Sequence, residues 1–516
     1  MVRMKHNYIS CMCRLLFIFS TVVCCLWMAF NAILPYVIPS DALNSLLEWR
    51  MASRKAPTGR LALLCRDTSY VSPIERSRLI AMLWERMPEP IIAVDSQCNL
   101  NEIDVILSSK WITSSMGEWL KSNQFTISEE TEYVSIWAKP NIIQRNVCNH
   151  KSLASYIREI FALCFEFSLM FIVFVRLICV RDVNKVHLII VGVLSVLLGL
   201  AAISHPLLSP NGLGVYAGKA KLLYEFGGIP NTFLESVGGE VIQTFYPPGL
   251  TLLTYMHFAL SGGCGDRLVQ LLVVFAMVLI CLLMLRRSDK LFCVMMVVLF
   301  CLSPITVRMS AGFYAEPFVA LMLLVGWVKI REGRLFFGCF LMGLAGLFRL
   351  EAGIVAAIFS IGACAFGLKV RVKIFGCFLS LLPLLAWLSI ASWCEYRNVS
   401  DWSFSSLPKI DNIVTAAWCE IKALVLYMLP VMVIYFLSCF SRKSLMCREN
   451  VFSILPMLML LLLIPLACGF YTSPYASWMM DNTIPRLMWY ISAIPLYELI
   501  RSPDKVNATM GRLNAT

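Results

Sequence analysis

The chain has 516 residues, 59% of them hydrophobic and only 15% charged, with a mean hydropathy of +0.74, a balance that excludes a water-soluble globular protein. A formal net charge of +12 invites a nucleic-acid reading, but the Lys and Arg residues cluster beside apolar runs, which is the positive-inside pattern of a membrane protein and speaks against a nucleic-acid partner. Short alternating strands are missing and runs of about 20 apolar residues recur, so the chain is read as helical in the bilayer and not as a barrel.

In chain order, the basic start MVRMKH precedes an apolar run from Leu15 to Ile38. That run is too long for a signal-peptide core, and residues 1–38 are read as an uncleaved transmembrane anchor with a cytoplasmic N-terminus. Residues 39–152 have mixed character and are read as a small soluble α/β or α+β insert on the extracytoplasmic side. Strands are predicted in RLALLC (Arg60 to Cys65), PIIAVD (Pro90 to Asp95), IDVILSS and YVSIWAKP, and helices in PIERSRLIAMLWERM and WITSSMGEWLK. Most of the 21 cysteines sit inside apolar runs and act as small hydrophobes. Cys65 and Cys98, in the insert, read equally as a disulfide pair or as free thiols.

Two transmembrane helices are predicted over 153–204, near 157–178 and 186–204. A transmembrane bundle follows over 267–500, with spans near 268–285, 291–306, 314–330, 335–348, 352–367, 374–393, 419–440, 451–470 and 486–500. With the anchor this makes an all-α multi-pass membrane protein of about 12 transmembrane helices, ending in a cytoplasmic tail, 501–516. The stretch from Gly249 to Leu260 is short for a span. Leaving it on the outer surface keeps VRDVNK, RRSDK, KIREGR, KVRVK and SRKSLMCR together on the cytoplasmic side. The outer face then receives the insert, a large loop over 205–266 with interfacial helices, and the turns that carry Glu316, Arg349 and Arg486.

Lys219 and Lys221 lie in AGKAKLLYEF, where Tyr216, Ala220, Leu223 and Tyr224 make a face able to rest on the membrane surface. The lysines then either snorkel to lipid headgroups or meet a phosphorylated lipid. Tyr246 opens YPPG, a rigid helix start. Glu316 stands before Pro317 in GFYAEP, where an acid also complements the helix dipole. Arg349 and Glu351 lie in LFRLEAG, with Arg308 and Arg486 at the same depth. Arg349–Glu351 or Arg308–Glu316 ion pairs would account for these charges structurally. Several arginines around one acid also suit a phosphate, which guanidinium binds bidentately. Glu166, inside 157–178, is a membrane-depth carboxylate with no partner visible in the sequence.

The KAK helix and YPPG, then GFYAEP, FRLEAG and SWMMDNTIPRLMWYISAIPL, come in an order that resembles membrane glycosyltransferases of the GT-C superfamily. The likeness is to enzymes akin to the lipid A aminoarabinose transferase and the protein O-mannosyltransferases, and it covers residues 200–500. It implies a polyprenyl-phosphate sugar as donor and inverting transfer to a glycan, lipid or protein acceptor on the extracytoplasmic face. The motif positions make Glu316 the catalytic acid residue, and Lys219, Lys221, Arg349 and Arg486, with Asn211 and Tyr246, the substrate- and phosphate-binding set. Such enzymes usually place an acid where SPNGLG has Asn211, and an amide is no base. Either Glu225, Glu235 or Glu240 substitutes, Glu316 takes the role, or the protein is impaired in activity. No cofactor is expected; no site of paired acids for a metal is evident and metal dependence is left open. The resemblance implies a bacterial inner membrane. A polysaccharide polymerase or ligase, or a lipid-linked saccharide flippase or transporter, are the alternatives, the transporter being expected to hold its charges at mid-membrane depth.

Overall fold

The computed structural model describes residues 48–53, 56, 61–64, 92–94, 103, 105–109, 114–131, 133–139, 153–178, 185–204, 211–228, 245–286, 291–364, 370–394, 408–424, 448–470 and 476–500. The predicted anchor, the helix in PIERSRLIAMLWERM, Cys65, Cys98, Glu235, Glu240 and the tail 501–516 lie outside them.

Before the membrane helices stands a five-stranded sheet: β1 (Leu61–Leu64), β2 (Ile92–Val94), β3 (Val105–Ser109), β4 (Thr126–Glu130) and β5 (Val134–Ala138), with α1 (Ser114–Ser122) between β3 and β4. The order is β2-β1-β3-β5-β4, with β1 parallel to both neighbours and β5 antiparallel to both of its own. Alternate residues face opposite ways along a strand. Ala62, Ile106 and Trp137 accordingly join Leu120 and Phe125 beneath α1, while Leu61, Leu63, Val105, Leu107, Val134 and Ile136 pack towards Trp49 and Ala52. β4, with sequence TISEE, was not predicted. It is an edge strand with mostly exposed side chains, so it lacks the apolar alternation that marks the others, and its acids discourage further pairing.

The helical part begins with α2 (Leu153–Ile178) and α3 (Lys185–Ile203), then a π-helical segment (Asn211–Ala217) that runs into α4 (Gly218–Phe226), and α5 (Gly249–Ser261). A 3-10 turn (Leu268–Gln270) leads into α6 (Leu271–Leu285), followed by α7 (Leu291–Cys301) and α8 (Pro304–Ala311). Next come α9 (Glu316–Arg331), α10 (Leu335–Gly343), a 3-10 turn (Leu344–Leu347), α11 (Leu350–Cys364) and α12 (Val370–Trp393). The described chain closes with α13 (Ile410–Ala423), α14 (Arg448–Cys468) and α15 (Ala476–Ile500).

Four of these stretches are long and apolar enough to cross a membrane: 154–177, 185–203, 268–285 and 374–393. Residues 294–301 of α7 and 304–311 of α8 meet the same requirement only when taken together, as a broken span or a re-entrant loop, and are bent by 49° where Pro304 cannot continue the hydrogen-bond ladder. Only a third or less of the spans in α2, α3 and α12 is buried, against 78% of the span in α6. α6 is thus the central helix, while α2 and α3 turn Phe161, Phe165, Ile172, Ile189 and Val196 outward. So wide an apolar exterior is tolerated in lipid and not in water, and the protein is membrane-embedded.

Two boundaries differ from expectation. The segment placed at 486–500 is the second half of α15, which already begins at Ala476. Asp481 and Asn482 look like loop residues, yet they are held in the helix by Lys422 and Arg308. α13 likewise starts well before the predicted 419–440, of which 425–440 lies outside the described residues. Its exposed Ile410, Val414, Trp418 and Ile421 follow the helical period on one face, while Ala416, Cys419 and Ala423 pack on Met480, Ile484 and Met488 of α15 on the other.

Glycines bring the site-bearing helices close. A Cβ on Gly326 of α9 would lie 2.6 Å from the Gly338 carbonyl oxygen, and one on Gly338 would lie 2.6 Å from that of Gly326. α9 and α10 therefore touch backbone to backbone, as small residues allow in membranes.

Candidate functional site

Stretches far apart in the chain converge on Glu316. This residue opens α9 after the turn Gly312-Phe313-Tyr314-Ala315. Phe313 is fully buried and lies in the left-handed region at φ 55°, which costs a non-glycine residue on the order of 1–3 kcal/mol. At Gly312 a Cβ would sit 2.2 Å from the ring of Tyr314, so the turn needs glycine there. Pro317 lacks an amide hydrogen, which the first helical turn does not require. This turn buries the Glu316 carboxylate completely.

Its Oε1 receives two guanidinium groups. Arg349, set between the 3-10 turn Leu344–Leu347 and α11, pairs through Nη1 with Glu316 and through Nε, at 2.6 Å, with Glu351. Arg486, from α15, lies with Nη1 3.0 Å from the same Oε1 but out of line for a hydrogen bond. Its Nε donates to the Asn482 carbonyl at 2.8 Å, and its guanidinium lies 4.4 Å from the centre of the Tyr314 ring, a cation–π contact. Both arginines are only 4% exposed. Glu316 Oε2 and the Tyr490 hydroxyl, one turn beyond Arg486, are buried without a hydrogen-bond partner. Buried ionic groups left partly unsatisfied are costly, and such atoms mark a place where a ligand or water completes the set.

The large loop supplies the other wall. π-Helical turns are rare and frequent at functional sites, and the one over Asn211–Ala217 delivers Lys219 to the interior. Lys219 Nζ donates to the Tyr246 carbonyl at 3.0 Å. Burial pushes its ammonium down from 10.5 to about 7. Burial likewise raises the phenols of Tyr216 and Tyr246, and Arg349 opposes this for both, so both rings stand within electrostatic reach of the arginines. YPPG fits here for a steric reason: a Cβ on Gly249 would lie 2.6 Å from the Leu347 carbonyl oxygen, so α5 starts against the backbone just before Arg349. Trp387 of α12 donates to the Phe245 carbonyl at 3.0 Å from the other side.

Glu316, Arg349 and Arg486 are therefore gathered at one point, with Tyr246 beside them and Lys219 joined through it. Lys221 is half-buried on a different side of α4, and Asn211 only opens the π-helical segment. The snorkelling reading fails for Lys219, and Tyr216 and Ala220 do not rest on lipid, because all three are buried inside the protein. The anticipated Arg308–Glu316 pair does not form; Arg308 donates to Asn482 Oδ1 instead. Glu166 has a partner, His257 Nδ1 at 3.0 Å. Tyr314, Asn482 and Tyr490 were missed, although Tyr490 follows Arg486 by four residues and so shares its helix face. Among the described residues no three His, Cys, Asp or Glu side chains converge as a metal would require.

Protein-family models, curated proteins and solved structures contain no match to this chain.

Proposed function

We propose that this protein is a multi-pass membrane glycosyltransferase of the GT-C kind, which moves a sugar from a polyprenyl-phosphate carrier to an acceptor on the outer face of a bacterial inner membrane. About 12 spans and cytoplasmic termini complete the reading. The observation that supports it best is the convergence of Arg349 and Arg486 on a fully buried carboxylate at the end of α9, with Lys219 one hydrogen-bond link away.

The chemistry is an inverting displacement. The acceptor oxygen forms a bond to the anomeric carbon as the bond from that carbon to the phosphate oxygen breaks, and the acceptor proton passes to Glu316. A base in hydrogen-bond reach typically contributes about 10²–10⁴-fold. The departing lipid phosphate takes up the electron pair beside Arg349 and Arg486, whose fixed positive charge stabilises it, and beside Lys219 in its protonated form. The charges close on this assignment. Two arginines and a protonated Lys219 supply three positive charges, and Glu351, Glu316 and a phosphodiester donor supply three negative ones. Transfer of the proton to Glu316 then balances the second charge on the leaving phosphate.

Purified protein in lipid vesicles with radiolabelled polyprenyl-phosphate sugars tests the reading. Release of sugar from the lipid to an acceptor or to water is the expected result. Labelled lipid crossing the bilayer with no sugar released would replace the transferase with a flippase.

A further inference from the structure

The ion cluster is already neutralised from within. Glu316 offers Oε1 to both arginines, at the position a phosphate oxygen would take, and all three side chains are buried. A carboxylate shared by two guanidinium groups is a poor base, because its charge is spent on them. An anion entering between Arg349 and Arg486 competes for the same donors. Glu316 Oε2, unpartnered and buried, shows that the carboxylate holds these arginines with one oxygen only, whereas a phosphate can engage each guanidinium bidentately.

We propose that Glu316 is a built-in stand-in for the donor phosphate: it occupies the arginines at rest, and binding of a lipid-borne phosphate displaces it and frees it to act as base. The inference rests on the function proposed above and adds an order of events, phosphate capture first and base activation second. Acceptor arriving before donor then meets an inactive carboxylate, so the device limits reaction to the fully loaded site. No covalent step is involved; two ion pairs break and two form.

Binding of a long-chain alkyl phosphate in mixed micelles tests this on the intact protein. With the competitor removed, Glu316→Gln binds the probe at least tenfold more tightly than wild type while transfer is lost. Glu316→Asp keeps the charge on a shorter side chain and also binds more tightly, by a smaller factor; it carries the test if the glutamine variant does not fold. Arg349→Ala and Arg486→Ala bind at least tenfold more weakly. Equal or weaker binding by the folded Glu316 variants, with binding still lost in the arginine variants, overturns the displacement idea alone. Binding indifferent to both arginines overturns the phosphate site itself. Inorganic phosphate at the probe concentration leaves probe binding unchanged; full competition by it would remove the requirement for a lipid-borne group.

Discussion

At the scale of single residues, the site depends on geometry that charge alone does not supply. Arg486 stacks on Tyr314 while facing Glu316, and lysine can neither stack in this way nor present two parallel donors. Arg486→Lys should therefore lower transfer at least ~10-fold, equivalent to about 1.4 kcal/mol, with folding retained by thermal melting in detergent. Lys219 gives a pH signature. Its folded-state value is lowered from 10.5 to about 7, so between these limits the unfolded chain holds more protons. Stability contributed here rises with pH through that window and is flat below 7. On the proposed function donor binding runs the opposite way, because the ammonium would hold the phosphate, and it should weaken as pH rises through 7. Lys219→Met should abolish both trends, which melting curves and probe binding between pH 6 and 10 would reveal.

At the scale of elements, glycines decide which helices approach. The Gly326–Gly338 contact leaves no room for a side chain, and overpacking of this kind costs typically about 1–3 kcal/mol. Gly338→Val should lower the melting temperature and, because α9 carries Glu316, also reduce transfer. Gly249→Ala should act through the site more than through stability: its methyl group meets the Leu347 carbonyl just before Arg349. A fall in transfer larger than the stability loss, measured on the same preparation, is the expected pattern. Helix existence was legible in the sequence, and so were the acid and arginines, because a charge at the end of an apolar run is conspicuous. The π-helical turn, the early start of α15 and the role of Tyr314 were not. Two depend on a partner distant in the chain: Asn482 reads as loop until Arg308 is beside it, and nothing local singles out Tyr314 until Arg486 lies over it.

At the scale of the whole molecule, α9 and α15 are tied at both ends. Glu316 meets Arg486 at one end. At the other, Glu498 accepts from Trp327 Nε1 at 2.6 Å and pairs with Arg331 at 3.2 Å. The two clusters are separated by 12 residues on α15, about 18 Å at 1.5 Å per residue. Glu498→Ala leaves the buried Trp327 Nε1–H without its acceptor, at a cost of about 1–3 kcal/mol, and should lower thermal stability although it lies far from the Glu316 cluster. The proposed topology, with the flanking cations on the cytoplasmic side, is open to a labelling test. In a cysteine-free background, a thiol placed at Lys221 should be labelled from the outer side and one at Arg334 from the cytoplasmic side; the reverse would invert the topology.

The backbone contact between α9 and α10 has a mechanical consequence. Helices that meet this closely, with Met342 and Ile330 filling what space the glycines leave, cannot separate or slide without breaking the contact. They form a fixed jaw that carries Glu316 at its tip. The opposing wall, the π-helical turn with Lys219 and the Tyr246 segment, is itself packed into the core through Leu213, Val215, Tyr216 and Leu222, so a ligand lying between the two walls must fit the space they leave.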